Sequence, residues 1–150
     1  MSNLIVLYDA CVLYPAPLRD LLMQLALTDL YQAKWTDEIH DEWIRNCLAN
    51  RPDLQAEKLQ ITRNLMNAHV RDSLVTDYQE LIASLTLPDP NDRHVLAASI
   101  KSQANVILTF NLKDFPASIL SSYNIEAQHP DSFITHLFSL STPIVCKAVT

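Results

Sequence analysis

The chain of 150 residues contains no glycine. Glycine is the usual occupant of positive-φ positions, so turns and helix ends here must use other residues, asparagine being the next best. Asn105 and Asn124 stand where helices or turns should hand over to strands. Cysteine is scarce as well. Cys11, Cys47 and Cys146 are an odd number without metal-ligand spacing, which argues against a disulfide framework or thiolate zinc site and suits a reducing cytoplasm. Each reads as a small buried or half-buried side chain. Hydrophobic residues make up 49% of the chain, yet no apolar run reaches the length of a membrane span. The N-terminal stretch MSNLIVLYDACVLYP lacks the basic start and small-residue cleavage site of a signal peptide. An excess of basic residues is missing too, because 17 acids outnumber 11 lysines and arginines for a net charge of -6. That balance counts against a general nucleic-acid-binding surface.

What is present reads as one domain over residues 1–140 with an uncommitted tail, 141–150. Leu4–Tyr8 and Val106–Phe110 are short unbroken apolar runs, the pattern of strands buried on both faces. Asn124–Ala127 reads as a shorter strand. Pro15 and Pro17 open a helix with Leu18, Leu21, Leu22, Leu25, Ala26 and Leu30 at helical spacing. Thr36 is the expected N-cap of a second helix, with Asp37 and Glu38 in its first turn and Ile39 and Trp43 on one face. A third helix is expected from Pro52-Asp53 to about Val70. Asp77-Tyr78-Gln79-Glu80 resembles a capping box before Leu81. Another helix follows Pro90 and ends near Asn105, and Asp131 is expected to cap a last one through Leu140. Two-sided strands separated by amphipathic helices predict an α/β fold, a three-layer sandwich with a mainly parallel central sheet flanked by helices.

In such sheets ligands bind beyond the carboxyl ends of the strands. Asp9 follows the first strand directly, at the edge of a core where an unpaired charge is expensive. Asn111 and Asp114 follow the second in LTFNLKDFP. Glu42, beside Trp43, borders the buried face of its helix. In LTLPDPNDRHVLAAS, Asp89 suits an N-cap, Pro90 the first helical position and Asp92 the first turn. Each acid alone has a structural reading as cap, turn residue or solvated face. Gathered on one rim they would repel one another and acquire raised pKa values, which a divalent cation would relieve. All-oxygen donors favour Mg²⁺ or Mn²⁺ over zinc. His69 and His94 read as partly solvated helix residues.

The segments YDACVLYPAPLRDLL, WTDEIHDEWIRN, LPDPNDRHVLAAS and LTFNLKDFP, in that order, resemble the PIN-domain nucleases, including the VapC-type toxins of bacterial toxin–antitoxin pairs. The likeness covers roughly residues 3–140. It implies a parallel sheet between helices and a metal-dependent ribonuclease, with Asp9, Glu42, Asp92 and Asp114 as catalytic metal ligands. Asp89 would support Asp92, Thr109 would orient a carboxylate or water, and Asn111 would be a neutral ligand or contact. The implied cofactor is one or two Mg²⁺ or Mn²⁺ ions, the implied substrate RNA, and the implied partners an antitoxin and a second copy of the chain.

Removing Asp9, Glu42, Asp89, Asp92 and Asp114 from the 17 acids leaves 12 against 11 basic residues. The acidity is therefore concentrated in the proposed site, and RNA affinity without metal should be weak. Arg19, Arg45, Arg51, Arg93 and Lys113 lie near the acids in sequence and are candidates for phosphate contacts, with salt bridges to acids such as Asp20 and Asp41 as the alternative. A phosphatase of the haloacid dehalogenase type would need a second Asp where Cys11 stands. A response-regulator receiver would need paired acids where Tyr8-Asp9 supplies one. The alternative from another class is a non-catalytic protein- or RNA-binding module of the same fold, its acids serving caps and contacts.

Overall fold

The computed structural model describes residues 4–149; of residues 141, 142 and 144–149 only the backbone is described. Four short strands, β1 (Ile5–Tyr8), β2 (Gln32–Lys34), β3 (Val106–Leu108) and β4 (Glu126–Gln128), form one sheet in the order β2-β1-β3-β4. Every pairing is parallel, with Val6 opposite Ala33 on one side and Val106 on the other. Successive strand residues face opposite sides of a sheet, and Val6, Leu7 and Tyr8 are all fully buried, as are Ile107 and Leu108. Both faces are therefore covered, which makes the fold three layers deep. The chain runs from β1 to β2 on one side, then returns to β3 on the other. The β1/β3 boundary is the switch point at which open parallel sheets open a crevice.

Around the sheet lie α1 (Ala10–Leu13), α2 (Ala16–Ala26), α3 (Asp37–Asn50), α4 (Ala56–His69), α5 (Arg93–Lys101), α6 (Ala117–Leu120) and α7 (Pro130–Val149). α5 packs on β1 and β3, α2 packs against α7, and α3 lies between α1 and α4. Trp35, Trp43, Tyr8, Phe115 and Phe133 are the largest fully buried side chains; burial of each large apolar group contributes about 1.5–3 kcal/mol before entropy is counted. The Tyr8 hydroxyl meets Tyr31 at 2.6 Å and donates to the Leu22 carbonyl at 3.1 Å, so its polar end is satisfied inside the core.

Thr36 caps α3 as its sequence requires, accepting from the Ile39 amide at 3.0 Å. Several boundaries differ from expectation for local reasons. β2 carried no strand signal, because three residues, one buried between an exposed Gln32 and a half-buried Lys34, make no pattern. α4 begins at Ala56 rather than at Pro52-Asp53. Arg51 and Asp53 close a forked ion pair of 3.0 and 2.9 Å, and a turn joins the Leu54 amide to the Arg51 carbonyl. Asp77 does not cap: it takes a positive φ of 60°, and a 3-10 turn, Gln79–Ser84, follows without a side-chain cap. The last helix starts at Pro130, with His129 Nδ1 accepting from the Asp131 amide at 3.1 Å in the capping role expected of Asp131. Its backbone continues past Leu140 to Val149 with Pro143 inside; the side chains on either side of Pro143 in 141–149 lie outside the described residues.

The missing glycines are replaced mainly by aspartate. Among the described residues Asp29, Asp72, Asp77, Gln103 and Asn124 hold the positive-φ positions, Asp and Asn being the residues that tolerate this region best after glycine. Asn124 turns the chain into β4 as expected. Asn105 does not; Gln103 turns the chain two residues earlier, and Asn105 Oδ1 accepts from the Ile5 amide at 2.8 Å, tying β1 to the loop before β3.

Candidate acidic site at the carboxyl end of the sheet

β1 ends by delivering Asp9 to the rim. Its amide continues the ladder to the Leu108 carbonyl at 3.0 Å, and its side chain then caps α1 by accepting from the Ala10 amide at 2.8 Å. The other carboxylate oxygen accepts from the Thr109 hydroxyl at 2.9 Å, and Cys11 Sγ stands 3.5 Å away. Asp9 is 5% exposed. Burial pushes its carboxyl above the ordinary range against the lowering effect of the Thr109, Cys11 and Ala10 hydrogen bonds, and the charge of Glu42 pushes the same way as burial.

Thr109 is the hinge between the two central strands. Fully buried at the end of β3, it donates to Asp9 and accepts from the Asn111 amide at 3.0 Å. Cys11 Sγ accepts from the Phe110 amide at 3.4 Å, which fixes the same loop from the other side. The Cys11 thiol, first through burial and then through the Asp9 charge, is pushed up to about 12. It is therefore a structural thiol and not a nucleophile. The loop then runs through an exposed Asn111 to Asp114, which is half-buried at the end of a 3-10 turn, Leu112–Asp114.

The DPND segment divides its acids. Asp89 Oδ1 accepts from the Asn91 amide at 2.9 Å, and the Asp89 carbonyl accepts from the Asp92 amide at 3.0 Å. Asp89 thus caps the 3-10 turn Pro90–Asp92, while the Asp92 side chain makes no capping bond. The Asp92 carboxyl is pushed up to about 7, by burial first and then by the charges of Asp9, Asp89, Asp114 and Glu42. One carboxylate that feels four others identifies the place where the acids converge. They come from the end of β1, from α3, from the start of α5 and from the loop after β3.

Glu42, half-buried on α3, makes an ion-pair contact through Oε1 with Nε2 of His94. His94 is a correction to the sequence reading: it is 5% exposed, not partly solvated. Burial alone would depress its pKa, but the carboxylates of Glu42, Glu38 and Asp9 outweigh that and carry it above the usual histidine value. The signal was available in the sequence. His94 precedes Val95-Leu96-Ala97-Ala98, a helix start with no polar face to lift an imidazole into water.

The basic candidates separate. Arg19 is buried and turned inward, with Nη1 donating to the Leu13 and Tyr14 carbonyls at 2.7 and 3.3 Å and its guanidinium 4.5 Å above the Trp43 ring. It closes the end of α1 and does not face solvent. Arg51 is held by Asp53, and Arg93 Nε donates to the Pro90 carbonyl at 3.1 Å, bracing the DPND turn. Asp41, with Asp37, is paired to Arg63 and not to a residue of the acid rim. Arg45, one turn beyond Glu42, and Lys113, beside Asp114, are exposed.

Among the described residues no three acid, imidazole or thiol groups are gathered as tightly as a coordinated ion would hold them. The chemistry of the donor set nevertheless fits a hard divalent cation. It is carboxylate throughout and aimed at one rim, where burial first and then the neighbouring charges push the Asp92 carboxyl up to about 7.

The model of the PIN domain matches residues 5–113. A stretch of 57 residues is 49% identical to the Mycobacterium tuberculosis protein named "Putative ribonuclease VapC50", covering 38% of this chain and 33% of that protein. The chain therefore spans about a third of the length of the curated relative it matches. The fold is similar to a chain in the crystal structure of VapBC2 from Rickettsia felis bound to a DNA fragment from their promoter. That likeness has a TM-score of 0.54 and 16% identity over 84% of this chain and 98% of the other. With the matched region reaching from β1 to Lys113, one residue short of Asp114, this chain belongs to the PIN domain family.

Proposed function

We propose that the chain is a metal-dependent endoribonuclease and the toxin of a type II toxin–antitoxin pair, working in the cytoplasm. The observation that carries the reading is the convergence on Asp92 of four further carboxylates at the β1/β3 switch point. The ribonuclease name of the mycobacterial relative and the VapBC2 structure support it.

Asp9, Glu42, Asp92 and Asp114 would hold one or two Mg²⁺ or Mn²⁺ ions. Bound there, such ions lower the pKa of water and offset charge developing on a phosphate. The chain's own residues prepare the rim. Thr109 fixes the rotamer of Asp9, and Asp89 holds the turn that presents Asp92. Arg45 and Lys113, both exposed, would contact phosphates flanking the scissile bond. The partners on this reading are RNA, a cognate antitoxin and a second copy of the chain.

The test is incubation of the purified chain and its Asp9→Asn variant with single-stranded RNA, with and without Mn²⁺ or Mg²⁺. Metal-dependent cleavage that the variant loses is the expected result. Equal residual cleavage by the variant would overturn the site assignment. A wild-type chain that cuts nothing yet binds RNA or a small protein would favour the non-catalytic module.

A further inference from the structure

We propose that His94 is a positioning residue for Glu42, holding one oxygen of that carboxylate so that the other is presented to a divalent cation. The inference rests on the acid-site reading above and assigns a residue that reading does not use.

Glu38 and Glu42 are four residues apart on α3, hence neighbours on one helix face where like charges repel. His94 stands between them, supplied by the first turn of α5 two residues after Asp92. Its Nε2 contacts Glu42 Oε1, and its Nδ1 is 3.9 Å from Glu38 Oε2. Glu38 is itself tethered, because Oε1 accepts from the Tyr78 hydroxyl at 2.7 Å, and Tyr78 is buried. The contacts form a chain, Tyr78 to Glu38 to His94 to Glu42, that ends at the site. Among the described residues Glu42 Oε2 has no protein partner, so the held carboxylate has one oxygen left to give.

A purely structural account of His94 is weak. α5 buries Val95, Leu96, Ala97 and Ala98 beside it, and its other buried polar group, Ser99, is satisfied within the helix by the Val95 carbonyl. An aliphatic side chain at 94 would fill the same space without desolvating an imidazole and a carboxylate. The residue also couples the right elements. It joins the helix that carries Glu42 to the turn that carries Asp92, so the two acids are registered against each other through one ring. Groups that orient a ligating carboxylate in this way typically change metal affinity or activity by about 10–100-fold when removed.

The experiment is Mn²⁺ calorimetry on the metal-free full chain, with thermal unfolding of the same metal-free samples. The variants are His94→Ala, His94→Gln, Tyr78→Phe, Glu42→Gln and Asp9→Asn. His94→Ala should weaken Mn²⁺ binding about 10–100-fold, and His94→Gln, whose amide nitrogen can reach Glu42, should restore most of it. In a Glu42→Gln background His94→Ala should have no further effect on affinity, since the cycle isolates their coupling. Tyr78→Phe should give a smaller loss in the same direction. Wild-type affinity in His94→Ala, or an undiminished loss in the Glu42→Gln background, would overturn the proposal. Should His94→Ala fail to fold, a His94→Gln chain no better than Glu42→Gln with an unaltered Tyr78→Phe would overturn it equally. Asp9→Asn separates the two readings. If it binds Mn²⁺ as the wild type does, the acid site falls and His94 with it. If it loses Mn²⁺ while His94→Ala keeps it, only the His94 proposal falls.

Discussion

His40 and His94 are both buried, yet they sit in opposite electrostatic environments. His40 points into an aromatic cage of Trp35 and Trp43, where Nδ1 accepts from the Trp43 indole at 2.9 Å and Nε2 meets Asn67 Oδ1 at 3.0 Å. Burial lowers its pKa, and the Asn67 bond only partly opposes this. His94 loses as much water but faces Glu42, Glu38 and Asp9, and its pKa rises. Burial therefore does not set the charge of an imidazole; its neighbours do. The same α3 supplies both environments, with His40 and Trp43 turned to the core and Glu38 and Glu42 turned to the acid rim. One face of that helix builds stability, and the other builds a site that costs stability until its charge is balanced.

Variants should break this division in different ways. The largest effect is expected on the acid side. Asp92→Asn should reduce metal-dependent RNA cleavage by more than about 100-fold, beyond the loss typical of an outer partner, while the metal-free chain stays folded. Initial rates at saturating Mn²⁺ check it. Next comes the core side. His40→Ala empties the aromatic cage and strands the Trp43 donor, which should cost about 2–4 kcal/mol. A urea midpoint measures that loss, and Mn²⁺ affinity should stay within twofold. A large drop in affinity would show that the two faces of α3 are not separable.

The pH dependence of the metal-free chain should run in opposite senses for the two sides. Asp92 has a folded-state pKa of about 7, above the unfolded value of about 3.9. Its contribution is therefore complete below pH ~3.9 and is lost as pH rises through 7. The stability of Asp92→Asn relative to wild type should accordingly improve from pH 4 to pH 8. His40 has a lowered folded-state pKa, so its contribution is complete above about 6.5 and is lost as pH falls through the lowered value. The advantage of wild type over His40→Ala should shrink in acid. The smallest effect is expected at Arg63, which joins α4 to α3 through Asp37 at 2.8 Å and Asp41 at 2.7 Å. Both partners are largely exposed, so Arg63→Ala should cost no more than about 1 kcal/mol by urea denaturation.

What the sequence made legible follows the same line. β1 and β3 were readable because strands covered on both faces must be apolar throughout, and Asp9 because a charge ending such a run has few places to go. Asp89 and Asp92 were readable because helix starts have a local grammar, and the split between capping and free acid followed from it. β2 was not readable, since Gln32-Ala33-Lys34 is a strand only because β1 pairs with it. The positive-φ aspartates were hidden as well, because Asp29, Asp72 and Asp77 match ordinary polar turns. Arg19 and His94 differ in this respect. The burial of Arg19 depends on the Trp43 ring brought from another helix, which no local pattern encodes. The burial of His94 has a local signal in the apolar run that follows it, and only its carboxylate partners come from elsewhere.

The central claim is that the five carboxylates meet on one rim and that a divalent cation resolves their repulsion. The most direct measurement is the titration of the Asp92 side-chain carboxyl by carbon-detected NMR, with and without Mg²⁺. The metal-free chain should titrate near 7, and saturating Mg²⁺ should shift the transition down into or below the ordinary carboxylate range. An Asp92 that titrates near 3.9 and ignores Mg²⁺ would contradict the account.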